Sequence, residues 1–220
     1  MSVIDILINY HQGFLQGLAV TLQLCLIIWG AGIFIGTAAG VAAANDPALG
    51  RLVQGGSFVL GAVPTLVFLF WLHYPVQAVF EVVIDPFYTA AFTLSIVNTF
   101  AIAEMVRQAV RDFPRQYLTA GKVCGLSTRD LVFKIQLPLL FRQLLPGYLL
   151  LQVGMLHATL FASLISVEEI FRVAQRINAS IYKPVEIYTA LGVFFLLVCL
   201  PVNGLAAFLK HKYTRDMSEK

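Results

Sequence analysis

The chain has 220 residues, 59% of them hydrophobic and 12% charged, with a net charge of +3. A soluble domain carries roughly 25% charged residues, so water is not the main solvent of this chain and a soluble helical core is excluded. The small positive balance gives no basis for nucleic-acid binding.

A helix crossing a hydrocarbon core of about 30 Å needs about 20 apolar residues, because each residue rises about 1.5 Å and lipid offers no partner to an open backbone. No Asp, Glu, Lys or Arg occurs between Asp5 and Asp46, Arg51 and Glu81, Asp85 and Glu104, Arg142 and Glu168, or Glu186 and Lys210. These runs predict an all-α integral membrane protein, one domain over 1–220, with about five transmembrane helices. The spans fall at about 14–42, 55–73, 87–107, 146–166 and 187–209.

Ahead of the first span, Met1 to His11 reads as a short helix at the outer membrane face, with Val3, Ile4, Leu7 and Ile8 on one side, or as a frayed end. It lacks the pattern of a removable signal peptide. Span one contains Gly32, Gly36 and Gly40 at four-residue spacing. Such a stripe lets another helix approach closely; a substrate path is the alternative reading. Pro64 and Pro201, inside spans two and five, each remove a backbone donor and can kink a helix. The outer loop His73 to Pro86 is expected to be short and irregular. In the later outer segment, a helix over Val167 to Ile177 fits the pattern. Cys25 and Cys199 fall in spans and Cys124 in a loop, so no disulfide is expected.

Of 15 cations, Arg51, Arg107, Arg111, Arg115, Lys122, Arg129, Lys134, Arg142, Lys210, Lys212, Arg215 and Lys220 fall on one side of these spans. Only Arg172, Arg176 and Lys183 fall on the other. Short cation-rich loops stay in the cytoplasm, which puts the amino terminus outside and the tail inside.

The stretch from Arg107 to Pro146, with a loop at about 108–145, is longer than a connection requires and should have a structure of its own. Pro114 can open a helix running to Cys124, and Gly125 can end it in the left-handed conformation. Ser127, with Asp130 three residues on, gives a capping-box-like start for a second helix. Leu131, Ile135 and Leu139 continue its apolar side until Pro138 interferes.

The run Thr119-Ala120-Gly121-Lys122-Val123-Cys124-Gly125-Leu126-Ser127, followed by Ile135-Gln136-Leu137-Pro138, resembles the cytoplasmic signature of permease subunits of ATP-binding-cassette importers. That pattern is Glu-Ala-Ala, three residues, Gly, nine residues, Ile, one residue, Leu-Pro. Ala120, Gly125, Ile135, Leu137 and Pro138 match; Thr119 stands for the Glu and Gly121 for the second Ala. Thr99 to Arg107, Ser163 to Ile170 and Glu186-Ile187-Tyr188 resemble further landmarks of the polar amino-acid uptake branch. The resemblance implies a type I importer permease fold with cytoplasmic coupling helices, in the bacterial inner membrane. Thr119, Ala120, Gly121, Gly125, Leu126, Ser127, Asp130, Leu131, Ile135, Leu137 and Pro138 would then form the coupling segment. Ala120 and Gly121 would allow close approach, Gly125 would set the corner, and Leu126 to Leu131 would reach the ATPase. The implied partners are two ATPase subunits, a second permease subunit, an external solute-binding protein and a small-molecule substrate. Two charged runs of that branch appear here as Gly61-Ala62-Val63-Pro64 and His157-Ala158-Thr159-Leu160. Their lost charges point to a second permease subunit different from this one.

Polar groups inside spans face a bundle interior or a cavity. Asn98, Thr99 and Glu104 on span three and His157, Thr159 and Ser163 on span four are thus candidates for a translocation path, Asn98 and Ser163 foremost. Plain interhelical hydrogen bonding is the alternative for both, and Glu104 can instead pair with Arg107 or Arg111. His157 reads as a packing residue, since no second His or Cys is spaced to make a metal site with it. No phosphate-binding Gly-x-x-x-x-Gly-Lys loop occurs, so no cofactor is expected in this chain; ATP and Mg would belong to the partner ATPase. No hydrolase elbow or zinc motif suggests an enzyme. The reading is an ATP-driven importer subunit for a polar amino acid or related metabolite, working by alternating access. The alternatives are an ion-gradient-driven secondary transporter, against which the lack of a visible repeat argues, and a non-transporting assembly subunit.

Overall fold

A computed structural model describes residues 2–218, with side chains as far as Tyr213. Met1, Lys220 and the Arg215 side chain, used above for the first helix and the tail charge, lie outside the described residues. The described chain is all helical: α1 (Val3–Asn9), α2 (His11–Asn45), α3 (Pro47–Ala62), α4 (Thr65–Val79), α5 (Pro86–Arg111), α6 (Arg115–Val123), α7 (Thr128–Ile165), α8 (Ile170–Ile181) and α9 (Pro184–Ser218). Helices α2, α5, α7 and α9 are long and apolar enough to cross a membrane.

The second charge-free run is not one straight helix. Helices α3 and α4 meet that test only as a pair, bent by 96°. Pro64 has no N–H to continue the ladder, and its ring pushes Val63 into an extended conformation (φ −89°, ψ 126°). The fourth span also starts earlier than its charges suggest, at Thr128, and runs through Pro138 and Pro146. A wide π-helical turn over Leu131–Gln136 immediately precedes Pro138. Widening moves aside the carbonyl that the proline ring would strike, so the helix continues where it was expected to end.

Helix α5 is the centre of the bundle, packed against α2, α3, α4 and α7. It buries Ala90, Leu94, Asn98, Ile102, Ala103 and Val106 along its length. Glycine makes its closest contact possible. A Cβ at Gly36 would stand 2.9 Å from the Thr99 carbonyl oxygen, and one at Gly40 would stand 2.5 Å from that of Ala103. The stripe on α2 is therefore a packing seam. The outside of the bundle exposes Leu26, Phe34, Phe58, Leu197 and Phe208, the apolar surface that lipid requires.

At the end opposite α6, helix α4 runs to Val79, well into the segment from His73 expected to be irregular, and Gln77 is buried in its last turn. Its Nε2 donates to Thr89 Oγ1 at 3.0 Å and its Oε1 accepts from the Ile84 amide at 2.9 Å, which fixes the otherwise irregular link. Ser2 and Asp5 cap α1 reciprocally. Ile4, Leu7 and Ile8 of α1 are exposed and Val3 is half-buried, whereas Ile6, outside the predicted apolar side, anchors the helix in a cluster with Ile170, Val173 and Ile187.

The surface helix α8 begins three residues later than predicted. Its N-cap is Glu169, fully buried, whose carboxylate accepts from the Phe171 amide at 2.9 Å and the Arg172 amide at 2.8 Å. Burial raises its pKa from 4.5 to about 7; the two amides pull the other way and Glu168 adds to the rise. The folded state then holds a proton that the unfolded chain has lost, so stability falls as pH climbs from about 4.5 to about 7 and levels off above that. Thermal melts in detergent should lose on the order of 5 °C across this window. Glu169→Gln, which keeps an acceptor but cannot ionise, should flatten the profile; a wild-type melt indifferent to pH would contradict the assignment. For the seam, Gly40→Leu should cost roughly 3 kcal/mol by overpacking, read as a lowered Tm, while Gly204→Ala, which meets only open space, should leave Tm unchanged.

Candidate functional site

The segment between α5 and α7 folds into a tight elbow. Helix α6 ends in a Schellman motif: the Leu126 amide donates to the Gly121 carbonyl at 3.1 Å and the Gly125 amide to that of Lys122 at 3.0 Å. The motif needs a left-handed residue, and Gly125 supplies it with φ +78°. A Cβ there would meet nothing, so glycine is required by conformation alone. Ser127 then caps α7 by accepting from the Asp130 amide at 3.1 Å. The Asp130 carboxylate accepts from the Ser127 hydroxyl at 2.6 Å and pairs with Lys134 at 2.6 Å, so it reinforces the cap sideways instead of reaching the cap backbone.

Helix α6 and the start of α7 close on each other through small and apolar side chains. Gly121 is buried because a Cβ would collide with Leu131, and it would stand 3.1 Å from Ile135 Cδ1. Leu131 is itself buried and Leu126 half-buried. Gly121 and Leu131 thus hold the elbow together from inside and do not present themselves to another protein, contrary to the reading that they approach a partner directly. The outward surface is made by Thr119, Ala120, Gly125 and Ser127, with Val123 83% exposed. The Thr119 hydroxyl donates to the Arg115 carbonyl of its own helix at 3.1 Å. Behind the elbow, Phe113, Ala109 and Leu140 form a buried cluster, with Tyr117 and Leu118 packed on it, that ties α6 to α5 and α7. Leu137 and Pro138 are exposed and line an apolar cavity of about 410 Å³ with Thr37, Val106 and Tyr148. Thr37 and Tyr148 hydrogen-bond across one wall of it.

The predicted path residues do not gather into one site. Asn98 is fully buried; its Nδ2 donates to the Ile28 carbonyl at 2.9 Å and to Gln152 Oε1 at 3.2 Å. Trp29 Nε1 donates to the Gln152 carbonyl at 3.2 Å, which completes a junction of α2, α5 and α7. Gln152 is the residue that sequence reasoning missed, although a polar side chain inside a charge-free run was the same signal that singled out Asn98. The other ends of the two amides, Asn98 Oδ1 and Gln152 Nε2, are buried without a partner among the described residues. Thr99 lies half-buried beside the glycine seam. Glu104 forms a two-pronged pair with Arg107, at 2.7 and 2.6 Å, and also accepts from Gln108 at 2.7 Å. Thr159 and Ser163 are buried and donate, each at 2.7 Å, to carbonyls of their own helix, those of Leu156 and Leu160. His157 faces α9, with Nε2 3.3 Å from Cys199 Sγ and its ring against Phe195.

The family model described as binding-protein-dependent transport system inner membrane component matches residues 32–215. Among curated relatives, the histidine/lysine/arginine/ornithine transport system permease protein HisQ of Salmonella typhimurium is 25% identical over 219 residues, covering 94% of this chain and 96% of the relative. The glutamine transport system permease protein GlnP of Escherichia coli is 28% identical over 205 residues, covering 90% of this chain and 91% of the relative. A solved structure described as an amino acid ABC transporter with histidines superposes with a TM-score of 0.82 at 18% identity, covering 96% of this chain and 99% of the other; at that identity the likeness concerns the fold.

Proposed function

The chain belongs to the family of binding-protein-dependent transport system inner membrane components, and we propose that it carries a polar amino acid or related small metabolite inward by alternating access, worked through the elbow at α6. It is the membrane-spanning subunit of an ATP-driven importer and not its ATPase. ATP and Mg are bound by two partner ATPase subunits, and an external solute-binding protein delivers the substrate. The amino terminus lies outside and the tail in the cytoplasm, a reading supported by cations clustering at the elbow end, where Arg51 and Arg111 line one cavity and Arg142 and Lys210 another.

The observation that carries this reading is the rigidity of the elbow. A handle transmits motion only if it does not deform when pushed. The Schellman turn, the Ser127 cap and the Leu131 and Gly121 contact leave few soft torsions in the corner. Helix α7 then runs 38 residues from the corner across the bundle, about 57 Å, and the Phe113 and Leu140 cluster clamps the corner to α5. Closure of the ATPase subunits against Thr119, Ala120, Val123 and Gly125 would therefore tilt α7 and α5 together.

A second reading concerns the substrate ligands. Asn98, Thr159 and Ser163 hydrogen-bond within this chain, and Glu104 is neutralised by Arg107. This favours an asymmetric pore in which a different permease subunit supplies most substrate contacts and this half supplies helices and a handle.

Gly125→Val forces a side chain into a conformation that costs an L-residue roughly 1–2 kcal/mol. In proteoliposomes the variant should assemble and hydrolyse ATP yet lose most uptake per ATP consumed; an unchanged ratio would remove the elbow from the mechanism. Affinity purification through a tag on this chain should bring down a second, distinct permease subunit together with the ATPase. Active uptake by a complex whose sole membrane subunit is this chain would refute the asymmetric pore.

A further inference from the structure

Helices α7 and α9 pack along their length, and at the elbow end they part to leave a crevice of about 230 Å³. Its polar wall is Arg142, Gln143, Lys210 and Tyr213, and its deeper wall is Pro146 and Leu150. None of the ion pairs formed among the described residues involves Arg142 or Lys210. Two cations from different helices thus converge on one opening.

The depth of the crevice says what kind of anion suits it. Lys210 is the first charge after the run that begins beyond Glu186, so it stands where an apolar helix leaves hydrocarbon. Tyr213 follows one turn later, an amphipathic ring of the type that sits at the headgroup level. In the other direction Leu150, which also lines the crevice, lies two turns further along α7 than Arg142 and is 49% exposed. The polar opening therefore leads onto an exposed apolar side chain. A free inorganic anion would use the cations and leave Leu150 idle, whereas an anionic phospholipid uses both.

We propose that this crevice is a binding site for the phosphate headgroup of an anionic phospholipid of the leaflet on the elbow side, with Arg142 and Lys210 as its cationic ligands and Leu150 beneath its acyl chains. Because α7 begins in the elbow and α9 flanks it, a lipid seated there bridges the moving helix and its neighbour.

The test uses the full-length protein, purified in detergent with the subunits that accompany it and stripped of lipid, then titrated in native mass spectrometry with phosphatidylglycerol or phosphatidylcholine. Phosphatidylglycerol should be retained about tenfold better, and the double variant Arg142→Gln/Lys210→Gln should remove that preference. Arg51→Gln/Lys212→Gln, which deletes two cations at the same end outside the crevice, should keep it. Excess inorganic phosphate should not displace the lipid. Equal retention of the two lipids, an undiminished preference in the crevice variant, an equal loss in the control variant, or displacement by phosphate would each overturn the proposal. If the crevice variant does not survive purification, photoactivatable phosphatidylglycerol on the wild-type protein decides: labelling must fall on peptides spanning 142–150 or 210–213, and labelling confined elsewhere overturns it.

Discussion

The bundle is organised around the line where α2 crosses α5. With Gly32, Gly36 and Gly40 on one side, the α2 backbone comes close enough that any added Cβ would press on Asn98, on the Thr99 carbonyl or on that of Ala103. In lipid no water is gained or lost between apolar helices, so close van der Waals contact and interhelical hydrogen bonds supply the association. The seam provides both, since it carries Asn98 to the Ile28 carbonyl and to Gln152 of α7. Once α5 is held there, its far end places Phe113, and Phe113 places the elbow.

The elbow solves a different problem. Outside the hydrocarbon a connection can hydrogen-bond to water and stay loose, yet in this one the amides of Cys124, Gly125, Leu126, Asp130 and Leu131 all find acceptors within the corner. Gly121 and Leu131 are buried inside it, and Thr119, Ala120, Gly125 and Ser127 are small or short residues on its exposed side. An exposed, compact and internally bonded corner joined to a 38-residue helix is suited to being pushed as a body. Among the polar side chains of the spans, Asn98, Glu104, Thr159 and Ser163 hydrogen-bond within the chain, while Asn98 Oδ1 and Gln152 Nε2 keep a buried polar end without a partner among the described residues.

Much of the elbow was readable in the chain because its determinants are local. Pro114, Gly125 and Ser127 act on neighbours within five residues, so the turn, the cap and the corner follow from spacing. The roles of Gly121 and Leu131 were not readable in that way. Whether a small residue faces a partner or its own chain depends on how α7 leaves the corner, and here it lays Leu131 against Gly121. Pro64 and Pro138 make the same point from the backbone. Both lack an N–H, but one stands at a 96° bend between two helices and the other sits in a continuous helix, as do Pro146 and Pro201, so the residue type alone does not decide the bend.

Solvent and local corners were determined by the sequence itself: long charge-free runs admit no environment but lipid, and capping residues act over one turn. Tertiary structure alone decided what the buried polar groups do. Asn98 and Gln152 are 54 residues apart, and Glu104 had two cations within reach. Their partners are selected by how closely helices approach and at what rotation, quantities that arise from the packing of the entire bundle and that no short stretch of chain encodes.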